Sequence, residues 1–209
     1  MTPQAPPAGL CVKAGIAAII GAMAIAPFLS HPEYSSLAHT TSELGGQSMP
    51  NAWIMNGGFL AYGLGVACGA LSRLRKTPAL AAVMLLFAGA LAGTAVFSAG
   101  SAAFRLPHDP VEDALHSFFS GLVGTAFALA CAIRLFAPGG NRRDRTSWLG
   151  LVASAAVPLA MTRLPGLDGL LQRGMFAISF VWFWREFSPP PLSPPPRAVP
   201  HSPDGQLPR

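Results

Sequence analysis

The sequence predicts an all-α, polytopic transmembrane helix bundle of about six helices with both termini cytoplasmic. Three observations carry that expectation. Of the 209 residues, 51% are hydrophobic and 11% charged, with a mean hydropathy of +0.44, whereas about 25% of residues are charged in an ordinary soluble domain. Several apolar runs reach the roughly 20 residues that a helix rising about 1.5 Å per residue needs to cross the hydrocarbon core. Lysine and arginine gather in alternate connections, as they do when those connections stay in the cytoplasm.

The first predicted span covers residues 11–30 and the second 52–71, with no charge after Lys13 in the first. Lys13 and the small residues after the run also resemble a cleaved secretory signal, but the run exceeds the usual apolar region of about 7–15 residues. Leu10 before Cys11 is not the small residue a lipoprotein site wants. The third run covers 78–104 and the fourth 115–137, where Arg134 sits near the end and can snorkel to the interface. The last two, 148–161 and 167–184, are shorter and interrupted by Pro158, Gln172 and Arg173; they form a hairpin through Arg163, Leu164, Pro165 and Gly166. Residues 1–187 thus make one membrane domain. From Ser188 the chain turns proline-rich, and 188–209 is expected to be a disordered cytoplasmic tail that spaces, or docks through a PxxP-type site.

With alternating spans, Lys13, Arg73, Arg75, Lys76, Arg134, Arg142, Arg143, Arg145, Arg185, Arg197 and Arg209 share one side, the cytoplasmic one. The other side receives Glu33, Glu43, Asp109, Glu112, Asp113 and Asp168, with Arg105, Arg163 and Arg173. Topology therefore accounts for the net charge of +5 without a nucleic-acid partner. The expected location is the cell inner membrane and the expected partners are membrane lipids, with a homo-oligomer or a membrane-protein partner left open. Trp53, Trp148, Trp182 and Trp184 suit an interfacial aromatic belt. Gly65 with Gly69, and Gly89 with Gly93, have the small-xxx-small spacing of close helix packing, expected here to be intramolecular. Cys11, Cys68 and Cys131 stand singly, with no CxxC, and read as packing residues.

Polar chemistry concentrates on the extracytoplasmic side. The long connection 31–51 holds His39, Thr40, Thr41, Ser42 and Glu43 ahead of a glycine pair. Asp109, Pro110 and Glu112 form a capping-box-like start for the fourth helix. Asp113 and His116, three apart on one face, can pair with each other, shuttle a proton or supply two metal ligands. Arg173, inside an apolar segment, needs a partner: Glu43, Asp113, a lipid phosphate, or the headgroup layer reached by snorkelling. Asn56 adds an amide at similar depth. His39, Ser42, Glu43, Asn56, Asp113, His116 and Arg173 are thus the candidates for one pocket opening away from the cytoplasm.

His39, His116 and Asp113 would be nominal zinc ligands, but no HExxH spacing accompanies them; Ser42 with His39 as base lacks a GxSxG context. No cofactor or metal is expected and no catalytic residue is assigned. The leading reading is an accessory protein binding a lipid headgroup or small amphiphile. The alternatives are a membrane-embedded lipid-modifying enzyme, metal- or acid/base-assisted, and a proton-coupled transporter, for which paired broken helices are missing.

The stretch Tyr34, Ser35, Ser36, Leu37, Ala38, His39, Thr40, Thr41, Ser42, Glu43, Leu44, Gly45, followed by Asn56, Gly57, Gly58, Phe59 and Gly63, resembles the prokaryotic multi-pass membrane proteins of domain of unknown function 998. That family has a Ser-acidic-Leu-Gly segment after its first helix, an Asn-x-x-Phe in its second, a Pro-x-Asp loop with a following histidine at its fourth, and a Gln-Arg or Glu-Arg pair starting its last. Ser42 to Gly45, Asn56 to Phe59, Pro107 to Asp109, His116, Gln172 and Arg173 match in order. The resemblance covers residues 10–186 and departs at Phe104, Arg105, Leu106, Pro107, where the family has Gly-x-Phe-Pro. It implies the six-helix topology, brings no established activity, and singles out Ser42, Glu43, His116 and Arg173.

Overall fold

The computed structural model describes residues 8–100 and 102–188. Among these there are seven α-helices and no strand: α1 (Ala8–Ile25), α2 (Thr41–Leu44), α3 (Ala52–Arg73), α4 (Pro78–Val96), α5 (Pro110–Phe136), α6 (Arg145–Met161) and α7 (Asp168–Glu186), with 3-10 turns at Ala26–Leu29 and Ala102–Phe104. The proline-rich tail lies outside the described residues apart from Ser188.

Local chemistry sets the helix bounds. The first span is one run, Ala8–Leu29, whose last turn tightens around Pro27, a residue without an N–H to continue the α ladder. The third predicted run is cut short: α4 stops at Val96, and the chain beyond it is held extended by side chains of α5, described below. α5 correspondingly begins at Pro110, five residues before the apolar run does, because Asp109 caps it and accepts from the Val111 N–H at 2.8 Å. Glu112 does not close the expected capping box; the Asp109 N–H goes instead to Gln47 Oε1 at 2.6 Å. α6 starts at Arg145 behind the Asp144 cap, and the turn into α7 passes through Gly166 at φ +85°, a conformation glycine adopts without strain.

Four stretches are long and apolar enough to cross a membrane: Ala8–Leu29, Ala52–Arg73, Pro78–Val96 and Pro110–Phe136. α6 and α7, at 17 and 19 residues, pack with them in an order that closes a ring: α1 on α3, α3 on α4, α4 on α5, α5 on α6, α6 on α7, and α7 back on α1. α1 and α3 approach most closely through glycine. A Cβ on Gly15 would sit 2.8 Å from the Ala61 carbonyl, and one on Gly65 would sit 2.6 Å from that of Cys11. Gly93 admits the Phe119 ring in the same way, whereas Gly89 faces open space.

Aromatic side chains fill the middle of the ring. Tyr62 is fully buried, with Phe87, Phe180 and Phe183 edge-on to it at 5.2–6.0 Å, and its hydroxyl meets Ser179 Oγ at 3.2 Å. Trp182 belongs to this interior rather than to an interfacial belt. It is 2% exposed, stands edge-on to Phe127, and donates its indole N–H to Ser147 Oγ at 2.9 Å. Trp53, Trp148 and Trp184 are exposed.

The end carrying Arg73, Arg134 and Arg185 is tied by ion pairs. Glu186 closes α7 between Arg73 of α3 and Arg134 of α5, the latter at 3.1 Å; its side chain is 7% exposed. Asp144 accepts from Thr146 and Ser147 and faces Arg185 at 3.9 Å. Burial alone would raise the Asp144 carboxyl, but these hydrogen bonds and the Arg185 charge hold it below the ordinary carboxylate value.

Candidate functional site

The end opposite Glu186 is closed by the connection between α1 and α3. Its central device is α2, a single turn stabilised by its own sequence: Thr40 Oγ1 accepts from the Glu43 N–H at 3.1 Å while Glu43 Oε2 accepts from the Thr40 N–H at 2.6 Å. This reciprocal capping box employs Glu43 locally. Gln172 of α7 fixes the turn in place. Its Oε1 accepts from both the Thr41 N–H and the Thr41 hydroxyl at 2.6 Å, and its amide donates to Ser42 Oγ at 3.3 Å.

Arg173, next along α7, holds the preceding stretch. Nη1 donates to the carbonyls of Ser36 at 2.7 Å, His39 at 3.0 Å and its own helix's Gly169 at 3.1 Å, and Nη2 donates to the Tyr34 hydroxyl at 2.6 Å. The Tyr34 hydroxyl in turn lies 3.0 and 2.9 Å from the carbonyls of His39 and Thr40. Arg173 is therefore partnered by backbone oxygens and a phenol rather than by Glu43 or Asp113: three carbonyl dipoles converge where α7 begins, and a forked guanidinium satisfies them together. Burial raises the Tyr34 phenol above its ordinary value, against the pull of Arg173. His39 Nδ1 accepts from the Ser35 N–H at 2.9 Å, and its ring lies 4.7 Å from that of Phe104.

A second set of contacts pins the extended chain after α4. Phe97 O accepts from His116 Nδ1 at 2.7 Å, the Ser98 N–H donates to Glu112 Oε1 at 2.7 Å, and the Gly100 N–H donates to Asp113 Oδ1 at 2.6 Å. Asp113 and His116 thus share a face of α5 and each grips a different backbone group, instead of pairing with each other. An unpaired strand-like segment leaves its N–H and C=O groups in need of partners, and the first two turns of α5 supply them. His116 is 4% exposed, and its Nε2 is buried without a hydrogen-bond partner among the described residues.

Asn56 bridges the two sets, donating to Gly45 O at 3.1 Å and Ser98 Oγ at 3.4 Å. A Cβ on Gly45 would lie 2.1 Å from Asn56 Oδ1, so that glycine is required by close approach. Gln47, which the sequence did not single out, joins the same seam by bonding Ala99 O through its backbone and Ser98 O and Asp109 O through its amide. Arg105, in the stretch that departs from Gly-x-Phe-Pro, has φ +54°.

Below this polar cover lies a cavity of about 310 Å³, within the ~300–1,000 Å³ range of pockets that hold small molecules. Phe59, Phe87, Leu91 and Phe127 form its buried apolar wall, and Ser42 and Gln172 stand at its α2 end. Thr94, Ser120, Ser154 and Ser179 are its other hydroxyls; no charged side chain lines it. Of the seven nominated residues, Ser42 alone borders the cavity. His39, Glu43 and Arg173 organise the loop beside it, while Asn56, Asp113 and His116 serve the neighbouring α4–α5 connection. Among the described residues, no three His, Cys, Asp or Glu side chains come together as a metal-binding group. The glycines that open the cavity, Gly121 and Gly124, and Ser154 opposite carried no motif that sequence reading could catch.

Comparison with known proteins places the family model Protein of unknown function (DUF998) on residues 13–184. The comparisons with curated proteins and with solved structures gave no match.

Proposed function

The chain belongs to the DUF998 family of proteins of unknown function, and from that premise we propose that it is an inner-membrane accessory protein that binds the apolar part of a lipid or small amphiphile in the cavity beneath α2. The observation that carries the reading is the cavity itself: lined mainly by aromatic and aliphatic side chains, with hydroxyls among them, the Ser42 hydroxyl and the Gln172 amide at the α2 end, and no charge. That mixture suits an amphiphile, whose tail leaves water by the hydrophobic effect while its polar end keeps hydrogen-bond partners.

Membrane character follows from the four apolar helices together with the family. The six-span reading is supported by the closed ring and by α6 and α7, roughly 26 and 28 Å long at about 1.5 Å per residue, which approach the thickness of the hydrocarbon core. Large apolar side chains at their surfaces, such as Leu149, Val152, Leu159, Leu170 and Val181, are exposed and suit contact with lipid. The basic end, with Lys13, Arg73, Arg75, Arg142 and Arg143, then faces the cytoplasm, as do both termini, and the α2 cover faces outward. Reporter fusions in residues 31–51 and 138–144 test this: periplasmic signal from the first and cytoplasmic signal from the second are expected, and the reverse overturns it.

Native mass spectrometry of the purified protein is expected to show one bound lipid or amphiphile, lost in Ser120→Trp, whose indole would occupy the cavity. A lipid-free wild type, or an adduct that survives the substitution, rejects the binding reading.

A further inference from the structure

The walls of the cavity differ in what lies behind them. Phe59 of α3 and Phe87 and Leu91 of α4 are buried against the rest of the bundle, so the α3–α4 side is closed. The α5–α6 side is open. These two helices touch at Gly150, where a Cβ would lie 2.6 Å from Cys131 Sγ and 3.1 Å from the Phe127 ring. One to two turns nearer α2 they have separated: a Cβ on Gly124 or Gly121 would meet nothing within 4 Å, although both glycines line the cavity. Across the gap stand Ser154 and Pro158, Pro158 being exposed, and the Ser154 hydroxyl is turned back onto its own helix at Gly150 O, 2.8 Å away. The α2 end is covered in contrast, since Gln172 and its three hydrogen bonds to Thr41 and Ser42 lie over it. The cavity therefore communicates with the side of the bundle, which in a bilayer is hydrocarbon.

We infer that the occupant is one acyl chain of a membrane phospholipid, admitted sideways through the gap between α5 and α6. This rests on the amphiphile-binding reading above and names its ligand class and route. A lateral gap lets the tail enter while the phosphate stays at the headgroup layer. A free fatty acid offers the same tail to the same gap, and labelling by probes of the two kinds separates them. Small residues stand on both lips of the gap: Gly121 and Gly124 on α5, Ser154 on α6.

The test uses the full chain in vesicles containing a phosphatidylcholine whose acyl chain carries a diazirine, with cross-linked peptides mapped after irradiation. Wild-type labelling is expected on residues 120–127 and 154–161. Gly124→Leu and Ser154→Leu narrow the gap from opposite lips. Each is expected to cut that labelling at least about tenfold, the factor that about 1.4 kcal/mol of lost affinity produces. Leu64→Phe, on the exposed face of α3, is expected to leave it unchanged. If labelling of the cavity survives both narrowing substitutions, or rises in Gln172→Leu, access is through the α2 end and the lateral route is wrong while the pocket reading stands. Stronger cavity labelling by a free diazirine fatty acid overturns the phospholipid assignment. Labelling confined to outward-facing residues in the wild type overturns both the route and the pocket reading. Because the two variants act from different helices, misfolding of one leaves the other to decide.

Discussion

Replacing Gln172 with leucine should loosen the cover of the cavity by an amount the hydrogen bonds allow one to work out. Gln172 Oε1 is the acceptor for two donors of Thr41, a residue with no exposed surface, and the amide nitrogen meets Ser42. Leucine preserves volume and helix propensity, so the change isolates the polar contacts. Two donors left buried without an acceptor cost about 1–3 kcal/mol each if nothing relaxes. Hydrogen bonds between membrane helices measured by double-mutant cycles average only about 0.6 kcal/mol, so three such bonds amount to roughly 2 kcal/mol. The lower figure should win, because the turn is short and can swing its donors toward water: we expect Gln172→Leu to destabilise by about 2 kcal/mol. Thr41→Val removes one donor at smaller cost, and the double variant should lose about 1 kcal/mol less than the sum, as expected for groups sharing a bond. The assay is reversible denaturant unfolding in mixed micelles, with hydrogen exchange of residues 40–46 reporting the local opening. Additive losses, or exchange in 40–46 unchanged by Gln172→Leu, would refute the assignment of Gln172 as the tie between α7 and α2.

Three further outcomes follow from the polar contacts. Arg173→Lys keeps the charge but cannot reach three carbonyls and the Tyr34 hydroxyl from one ammonium, so proteolysis and hydrogen exchange of residues 34–40 should increase, with a loss of about 1–2 kcal/mol. Glu186→Gln leaves Arg73 and Arg134 facing each other without a counter-charge. Their side chains are 29% and 39% exposed, so water screens part of the penalty and the expected loss is about 1–3 kcal/mol, below the ~3–5 kcal/mol of a fully buried pair and partly relieved by added salt. Asp144 has a folded-state carboxyl below its ordinary value of 3.8, so its stabilising contribution is complete above that value and is lost as the pH falls through the lower folded value. Asp144→Asn should be less stable than wild type at neutral pH and converge with it in strong acid; a constant difference across that range would contradict the sign.

Long apolar runs made the all-α class and the four strongest spans readable, since bilayer thickness imposes a length on each of them. The ends of those runs misled where tertiary partners took over. Phe97 to Gly100 continues the uncharged run of the helix before it, yet His116, Glu112 and Asp113 capture its backbone from a neighbouring helix, a contact with no local signature. Trp182 looked interfacial because sequence distance from the helix end measures depth but not direction, and Ser147 gave its indole a partner inside. The polar loop residues were found because hydroxyl, imidazole and carboxylate groups are conspicuous near greasy helices. What they do could not be found, since Glu43 and Arg173 satisfy backbone groups whose placement depends on the folded loop. The cavity was invisible for the opposite reason: it is made by side chains that are missing, at Gly121 and Gly124, and by the angle at which two helices part.

The aromatic filling of the ring also dictates an order of assembly. Phe176, Phe180, Trp182 and Phe183 all come from α7, and they complete a centre whose other half, Phe59, Tyr62, Phe87 and Phe127, is synthesised earlier. Until α7 is made, α1, α3, α4 and α5 can already pack side by side, but half of the aromatic centre is missing. A chain stalled before Asp168 is then expected to leave Phe59, Tyr62, Phe87 and Phe127 without their α7 partners and to be degraded faster than the full chain.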